Sequence, residues 1–237
     1  PIKSLSALAK DHDGKLLAAT DRGLFRQGDK TFLPVKGGED IGGLHQVESI
    51  LVETPQRIMF GTQSEGLFCL CNGKLERFDT KNGLVNNRIA TMFIDKEKSL
   101  WVGTNLGVTR IRTGQITRYA RYNGLSDDYV RAVLKDHDGS TWVGTSAGLN
   151  HIGSNGIEHW GRSDGLASDS IYSLMLRKPG ELWIGTADAG ISIFQAGKFR
   201  HITRNQGLTS NQVRGLVVDG DRVWAGLGSR AGGGVAL

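Results

Sequence analysis

Six histidines, two cysteines and two Asp-His-Asp-Gly turns are the residues from which this chain could build a reactive centre. Their spacing argues against one. The histidines, at positions 12, 45, 137, 151, 159 and 201, show neither H-x-H nor H-E-x-x-H spacing and do not form a zinc or copper ligand set. Asp11-His12-Asp13-Gly14 and Asp136-His137-Asp138-Gly139 open like calcium loops, but the later oxygen ligands and the closing bidentate glutamate are missing, so both read as β-turns. Gly144-Thr145-Ser146-Ala147-Gly148 matches a nucleophile elbow, yet the same columns elsewhere read GTNLG and GTADAG, which makes the segment a recurring hairpin. Gly226 to Ala231 imitates a dinucleotide fingerprint with no helix behind it to receive a pyrophosphate. Cys69 and Cys71 point to the same face of a strand and are expected as two buried thiols rather than a disulfide or a metal pair. No paired carboxylate column recurs, which removes the usual glycosidase arrangement. The reading is a non-enzyme, with no catalytic residue, no metal and no cofactor.

What positions the remaining polar residues is a repeat. The segment aromatic-aliphatic-Gly-Thr, as in WVGTNLG from Trp101, WVGTSAG from Trp142 and LWIGTADAG from Leu182, has weaker copies from Leu17, Met59 and Val223. Its threonine column falls at Thr20, Thr62, Thr104, Thr145, Thr186 and Leu227, with spacings of 42, 42, 41, 41 and 41. A second column keeps the same beat: Gly-Leu at Gly83, Gly124, Gly165 and Gly207, with a degenerate copy at Gly43. Periods of this size mark stacked supersecondary units.

Each unit reads as four short strands with turn residues between them, too short for a crossover helix. A lone four-stranded meander leaves its apolar faces wet, and radial stacking buries them. The fold class is therefore all-β, a β-propeller of four-stranded antiparallel blades in one domain, 1–237. Its six repeats span about 1–41, 42–82, 83–123, 124–164, 165–206 and 207–237. The last lacks its fourth strand, and the favoured reading is part of a seven-bladed or larger array. The column Ala7, Ser49, Thr91, Ala132, Ser173, Gly215 is small in every copy, as convergent inner strands require. Met59, Trp101, Trp142, Trp183 and Trp224 form the bulky column expected between blades.

Composition narrows the partners. The 237 residues carry a formal net charge of +5 with no block of basic residues, so nucleic acid is not expected. The pairs Arg110/Arg112 and Arg118/Arg121 read as solvated strand faces. No apolar run is long enough to span a bilayer. The chain opens Pro-Ile-Lys-Ser-Leu without the features of a secretory signal, so any membrane attachment is expected only through flanking segments.

Ligand-binding residues in such a scaffold belong on the loops feeding the first strands. These are Asn86-Asn87-Arg88, Asp127-Asp128-Tyr129, Ser168-Asp169-Ser170 and Ser210-Asn211-Gln212. Just inside them the column Ser6, Glu48, Ala90, Arg131, Tyr172, Arg214 varies where its neighbours do not. The candidate ligand-binding set is Arg88, Tyr129, Arg131, Tyr172, Arg214 and Glu48. Arginine forks and a tyrosine face suit a carboxylated sugar or another small anion.

The recurring Gly-Leu turn, Val/Ile strand, Asp-x-x-Gly and Leu-Trp-Ile/Val-Gly-Thr-x-x-Gly-Leu resembles the two-component regulator propeller repeat. Copies three to five match it closely, while copies one, two and six are eroded. The resemblance implies a periplasmic sensor domain of a hybrid histidine kinase or a related membrane-bound signalling protein, with an oligosaccharide as a frequent ligand and the rest of a longer signalling chain as its output. The alternatives are an interaction scaffold, including a homodimer, and a propeller lyase, for which only His45 and Glu48 approach an acid-base pair.

Overall fold

A computed structural model describes residues 5–20, 22–38, 47–228 and 234–236. The chain folds as a β-propeller of six antiparallel blades, five of four strands and the last of three among the described residues. Two compact units, Pro1–Arg118 and Tyr119–Leu237, divide it. In the first, blade one is Leu5–Lys10, Leu16–Thr20, Gly23–Gln27 and Phe32–Pro34, and blade two is Val47–Thr54, Arg57–Thr62, Leu67–Cys71 and Lys74–Phe78. Blade three is Ile89–Ile94, Leu100–Thr104, Gly107–Arg112 and Gln115–Tyr119. In the second, blade four is Val130–Lys135, Thr141–Thr145, Gly148–Gly153 and Gly156–Trp160, and blade five is Ile171–Lys178, Glu181–Thr186, Ile191–Gln195 and Lys198–Ile202. Blade six is Gln212–Asp219, Arg222–Gly228 and Gly234–Ala236.

Within each unit the first strands of consecutive blades lie against one another, as the column of small residues requires. The second strand, carrying the Gly-Thr motif, is buried on both faces in blades three to five, and the fourth strand is the most exposed. This gradient is the reason an inner run such as Trp-Val-Gly-Thr shows no polar alternation while an outer one such as Gln115–Tyr119 is largely polar.

The motif glycine is set by close approach. A Cβ at Gly144 would stand 2.5 Å from Cγ2 of Ile171, the first residue of the next blade's inner strand, and one at Gly185 would stand 2.8 Å from the Val213 carbonyl oxygen. Glycine thus admits the neighbouring blade's β-branched residue: Ile89, Ile171 and Val213 are each fully buried. The motif threonine closes the next hairpin. Thr145 Oγ1 donates to Gly148 O at 2.9 Å and accepts from Ala147 N, and Thr62, Thr104 and Thr186 repeat this arrangement.

The Trp column packs as expected in blades four and five. Trp142 meets Trp160 at 5.5 Å and Phe194 of the next blade at 5.7 Å, and Trp183 lies in the cluster with Val213 and Leu216 of blade six. Each buried indole N–H has a carboxylate acceptor: Asp95 for Trp101, Asp136 for Trp142 and Glu181 for Trp183.

Two features depart from expectation. Cys69 and Cys71 form a disulfide. Same-face neighbours in a strand were expected to bond poorly, but their Cα atoms are 5.5 Å apart, inside the range a disulfide spans. Each of the four full Gly-Leu signals, read as a simple turn, also closes a one-turn 3₁₀ segment, at Thr80–Asn82, Arg121–Asn123, Arg162–Asp164 and Arg204–Gln206. The glycine behind each has φ between 100° and 117°, the left-handed region that ends such a turn.

Candidate functional site

The repeating loop before each inner strand separates structural polar residues from free ones. Its first member caps the loop: Asn86 Oδ1 accepts from Arg88 N, Asp127 Oδ1 from Tyr129 N, Ser168 Oγ from Ser170 N and Ser210 Oγ from Gln212 N. Its second member holds the 3₁₀ segment. Asn87 accepts from Thr80 N, Asp128 from Arg121 N, Asp169 from Arg162 N and Asn211 from Arg204 N, at 2.6–2.9 Å. These eight side chains are occupied by the backbone. The third member, Arg88 or Tyr129, does not share in that pattern and is available to the surface.

The variable column has a backbone cause. In each described pairing of first and second strands the register slips by one residue near the inner end, between Val47 and Ser49, Val130 and Ala132, Ile171 and Ser173, and Val213 and Gly215. The skipped residues are Glu48, Arg131, Tyr172 and Arg214. Opposite Thr104 and Gly103, the slip in blade three skips Ala90. The column is a set of β-bulges, in which one extra residue has no partner across the ladder and its side chain is re-aimed. The residue before three of the bulges, Ile89, Ile171 or Val213, packs against the motif glycine of the preceding blade, and the residue after each bulge is small. The bulged position is released from this packing, which lets it vary between charged, aromatic and small side chains.

In the second unit the bulges and one loop residue form a ladder across three blades. The Arg131 guanidinium lies 5.0 Å from the Tyr129 ring and 4.6 Å from the Tyr172 ring, and Arg214 lies 5.6 Å from Tyr172. Guanidinium and phenol faces attract through the ring quadrupole. Arg131 Nη1 also donates to Ser170 Oγ at 3.0 Å, and Arg214 Nε to Gln212 Oε1 at 3.3 Å. Tyr129, Arg131 and Tyr172 are half-buried and Arg214 is exposed. Among the described residues no carboxylate pairs with Arg131 or Arg214, so two cations share one aromatic stack without a counter-charge.

In the first unit the same columns bring Arg88 and Glu48 together, Nη2 to Oε1 at 3.4 Å. The six candidate residues therefore assemble as one ion pair and one four-member ladder, each within its own unit. His45, the other half of the acid-base pair considered for lyase chemistry, lies outside the described residues.

Other motifs are engaged in the scaffold, while Ser229 to Ala231 of the Gly226–Ala231 motif lie outside the described residues. Asp11 Oδ1 accepts from Asp13 N and Lys15 N, and its other oxygen pairs with Arg26. Although burial opposes ionisation of Asp11, these bonds hold its carboxyl below the ordinary range. Asp138 is lowered likewise, first by the Ser140 hydroxyl and then by the Ser140 amide. Ser146 Oγ donates to Asp127 in the hairpin. Arg110 lies 5.0 Å over the Trp101 ring and Arg118 Nε donates to Gly83 O, so one member of each basic pair is engaged in the scaffold. Sequence reasoning missed Glu181. It is 2% exposed, accepts from Trp183 Nε1 at 2.7 Å and faces Arg177, Lys178 and Arg200. A signal existed: blade five lacks the aspartate that serves the other indoles, and Glu181 stands two residues before its tryptophan.

The chain's likenesses agree with this architecture. The two-component regulator propeller family model matches residues 83–106, 124–147 and 165–188. No curated protein is a detectable sequence relative. Among solved structures, the extracellular domain of a hybrid two component system from B. thetaiotaomicron is 22% identical, with 95% of this chain and 32% of that chain covered and a TM-score of 0.77. The extracellular domain of a one component system from the same organism is 21% identical over 98% of this chain and 33% of that chain, with a TM-score of 0.73. Virginiamycin B lyase from Staphylococcus aureus is 16% identical over 95% of this chain and 79% of that one, with a TM-score of 0.69. The chain thus spans about a third of the length of the two extracellular domains, and these likenesses show the fold. Among the described residues no helix is long and apolar enough to cross a membrane.

Proposed function

Because segments of three of its repeats match the two-component regulator propeller family model, we propose that this chain is signal-sensing rather than catalytic, part of the periplasmic input region of a longer bacterial signalling protein. Its six repeats act as one domain, with the output carried elsewhere in that protein. The ligand is an acidic oligosaccharide or another small anion, received at the ladder of Tyr129, Arg131, Tyr172 and Arg214. The observation that supports this reading is the pair of arginines stacked on tyrosine rings with no carboxylate opposite them among the described residues. Stacking holds each guanidinium by its face and leaves edge N–H groups for a carboxylate or sulfate, while the tyrosine faces favour the apolar side of a sugar ring. Placing those residues on bulges allows ligand contacts to change without disturbing the packing of blade on blade.

Calorimetric titration against paired acidic and neutral oligosaccharides, such as oligogalacturonate and cello-oligosaccharide, tests the proposal. Heat with the acidic member, lost in Arg131→Ala and Tyr172→Ala, supports it. No heat with any sugar turns the reading toward a scaffold that presents the same loops to another protein.

A further inference from the structure

We infer that Cys69 and Cys71 form a thiol–disulfide exchange site, opened and closed by low-molecular-weight thiols and disulfides such as the glutathione couple. The repeat shows that blade two does not need the bond as a staple. Cys69 pairs across the ladder with Met59, and Cys71 with Arg57. Along the same registers the matching pairs are Arg110 and Arg112 in blade three, His151 and Gly153 in blade four, and Ile193 and Gln195 in blade five. Those blades form the same four-stranded meander, although Cys69 and Cys71 are the only cysteines of the chain. The stabilisation a cross-link gives grows with the length of chain it encloses. This one encloses only Leu70, in a strand already hydrogen-bonded on both sides.

The two cysteines sit in different surroundings. Cys69 is 3% exposed and lies in the packed cluster of Met59, Leu67, Ile89 and Leu100. Cys71 is half-buried, ends its strand and is followed by the exposed residues Asn72, Gly73 and Lys74. An open groove rimmed by Arg57, Glu76, Lys98 and Thr113 runs past it, so a water-soluble thiol reaches Cys71 from solvent while its neighbours screen Cys69. Exchange depends on access to the attacked sulfur, which makes Cys71 the exchanging residue and Cys69 the resolving one. A thiolate R–S⁻ attacks Cys71 Sγ, forming R–S–S–Cys71 as the Cys69–Cys71 bond breaks and Cys69 leaves as a thiolate. A second R–S⁻ attacks the sulfur of the bound R group, releasing R–S–S–R and the Cys71 thiolate. Each leaving sulfur takes up the proton its attacker gave up on ionising, so two thiols are oxidised to one disulfide and the protein disulfide is reduced to a dithiol. In reverse, R–S–S–R places a mixed disulfide on Cys71. Cys69, whose Cα lies 5.5 Å from that of Cys71, then displaces R–S⁻ and restores the bond.

Glutathione is the probe. The intact protein is incubated with reduced glutathione, quenched by alkylation and read by mass spectrometry. The dithiol forms at a rate proportional to thiol concentration, and that rate is unchanged by urea below the unfolding transition. In Cys69→Ala, oxidised glutathione leaves a stable adduct on Cys71, formed ~tenfold or more faster than the adduct on Cys69 in Cys71→Ala, because the two sulfurs differ in access. Circular dichroism checks that both variants are folded; should either unfold, the urea series on the intact protein decides alone. A disulfide that opens only in proportion to the unfolded fraction, or folded single variants that form adduct at equal rates, overturns the inference. This site is independent of the arginine ladder, so Arg131→Ala exchanges at the same rate as the parent protein.

Discussion

In the first unit the free loop and bulge positions hold Arg88 and Glu48, facing each other at 3.4 Å; in the second, equivalent positions hold Tyr129, Arg131, Tyr172 and Arg214, in which each arginine faces a ring. The backbone is the same in both, down to the one-residue slip that releases the bulged side chain. The difference lies in charge balance. The first pair neutralises itself, while the ladder keeps two positive charges and supports them with π faces. The chain compensates charge elsewhere, since buried Glu181 has three cations around it. On the proposal above, arginines with no carboxylate partner among the described residues are the ones a ligand would engage.

The largest expected effect comes from breaking the scaffold beneath the ladder. Gly185→Ala drives a methyl group against the Val213 carbonyl and Ser173 Oγ, and should cost about 1–3 kcal/mol by overpacking, seen as a lower midpoint in urea. Gly156→Ala, with open space around its Cβ but φ of 120°, separates backbone strain from steric clash and should leave the blade seam intact. Next, Arg131→Ala should weaken acidic-ligand binding roughly 10- to 100-fold, the worth of hydrogen bonds to a charged group. The same change should flatten the salt dependence of binding, measured by titration at two ionic strengths.

Glu181 supplies a pH test of the compensated cluster. Its carboxyl is held below the ordinary glutamate range, first by the Trp183 N–H, against the effect of burial, with Lys178 and Arg177 assisting. A folded pKa below the unfolded one gives stability that is fully present above about pH 4.3 and is lost as pH falls through the folded value. Glu181→Gln should therefore be less stable at pH 7, and its acid unfolding curve should be shallower below about pH 4.3. Equal slopes for the two proteins would remove Glu181 from the comparison.

Smaller effects sharpen the contrast between units. Glu48→Gln unmasks Arg88 and should change anion affinity by roughly two- to five-fold at most, the scale of a partly exposed ion pair. Tyr172→Phe keeps the ring face and should alter affinity by less than about twofold. A large loss in Tyr172→Phe would assign the phenol hydroxyl, rather than the ring, to the ligand.

Much of the fold was legible because it rests on local steric rules repeated at a fixed interval. A glycine that must admit a neighbour's isoleucine, a threonine that must close a hairpin and a Gly-Leu pair that must end a turn each recur on a period of about 41 residues. The variable column at Glu48, Arg131, Tyr172 and Arg214 was legible too, as a position where charge and ring content change from repeat to repeat. The bulge that frees it was not, since a one-residue slip leaves no mark in the apolar pattern on either side.

The amino-acid sequence by itself determined the blade, its strand order and the places where chemistry can vary, because each depends on contacts within one repeat or with the next. Only the tertiary structure decided which of those variable side chains meet. Arg131 and Tyr172 are 41 residues apart and approach only because inner strands converge. It also joined Cys69 to Cys71. These outcomes turn on distances of a few ångströms between side chains, which residue type and spacing do not specify.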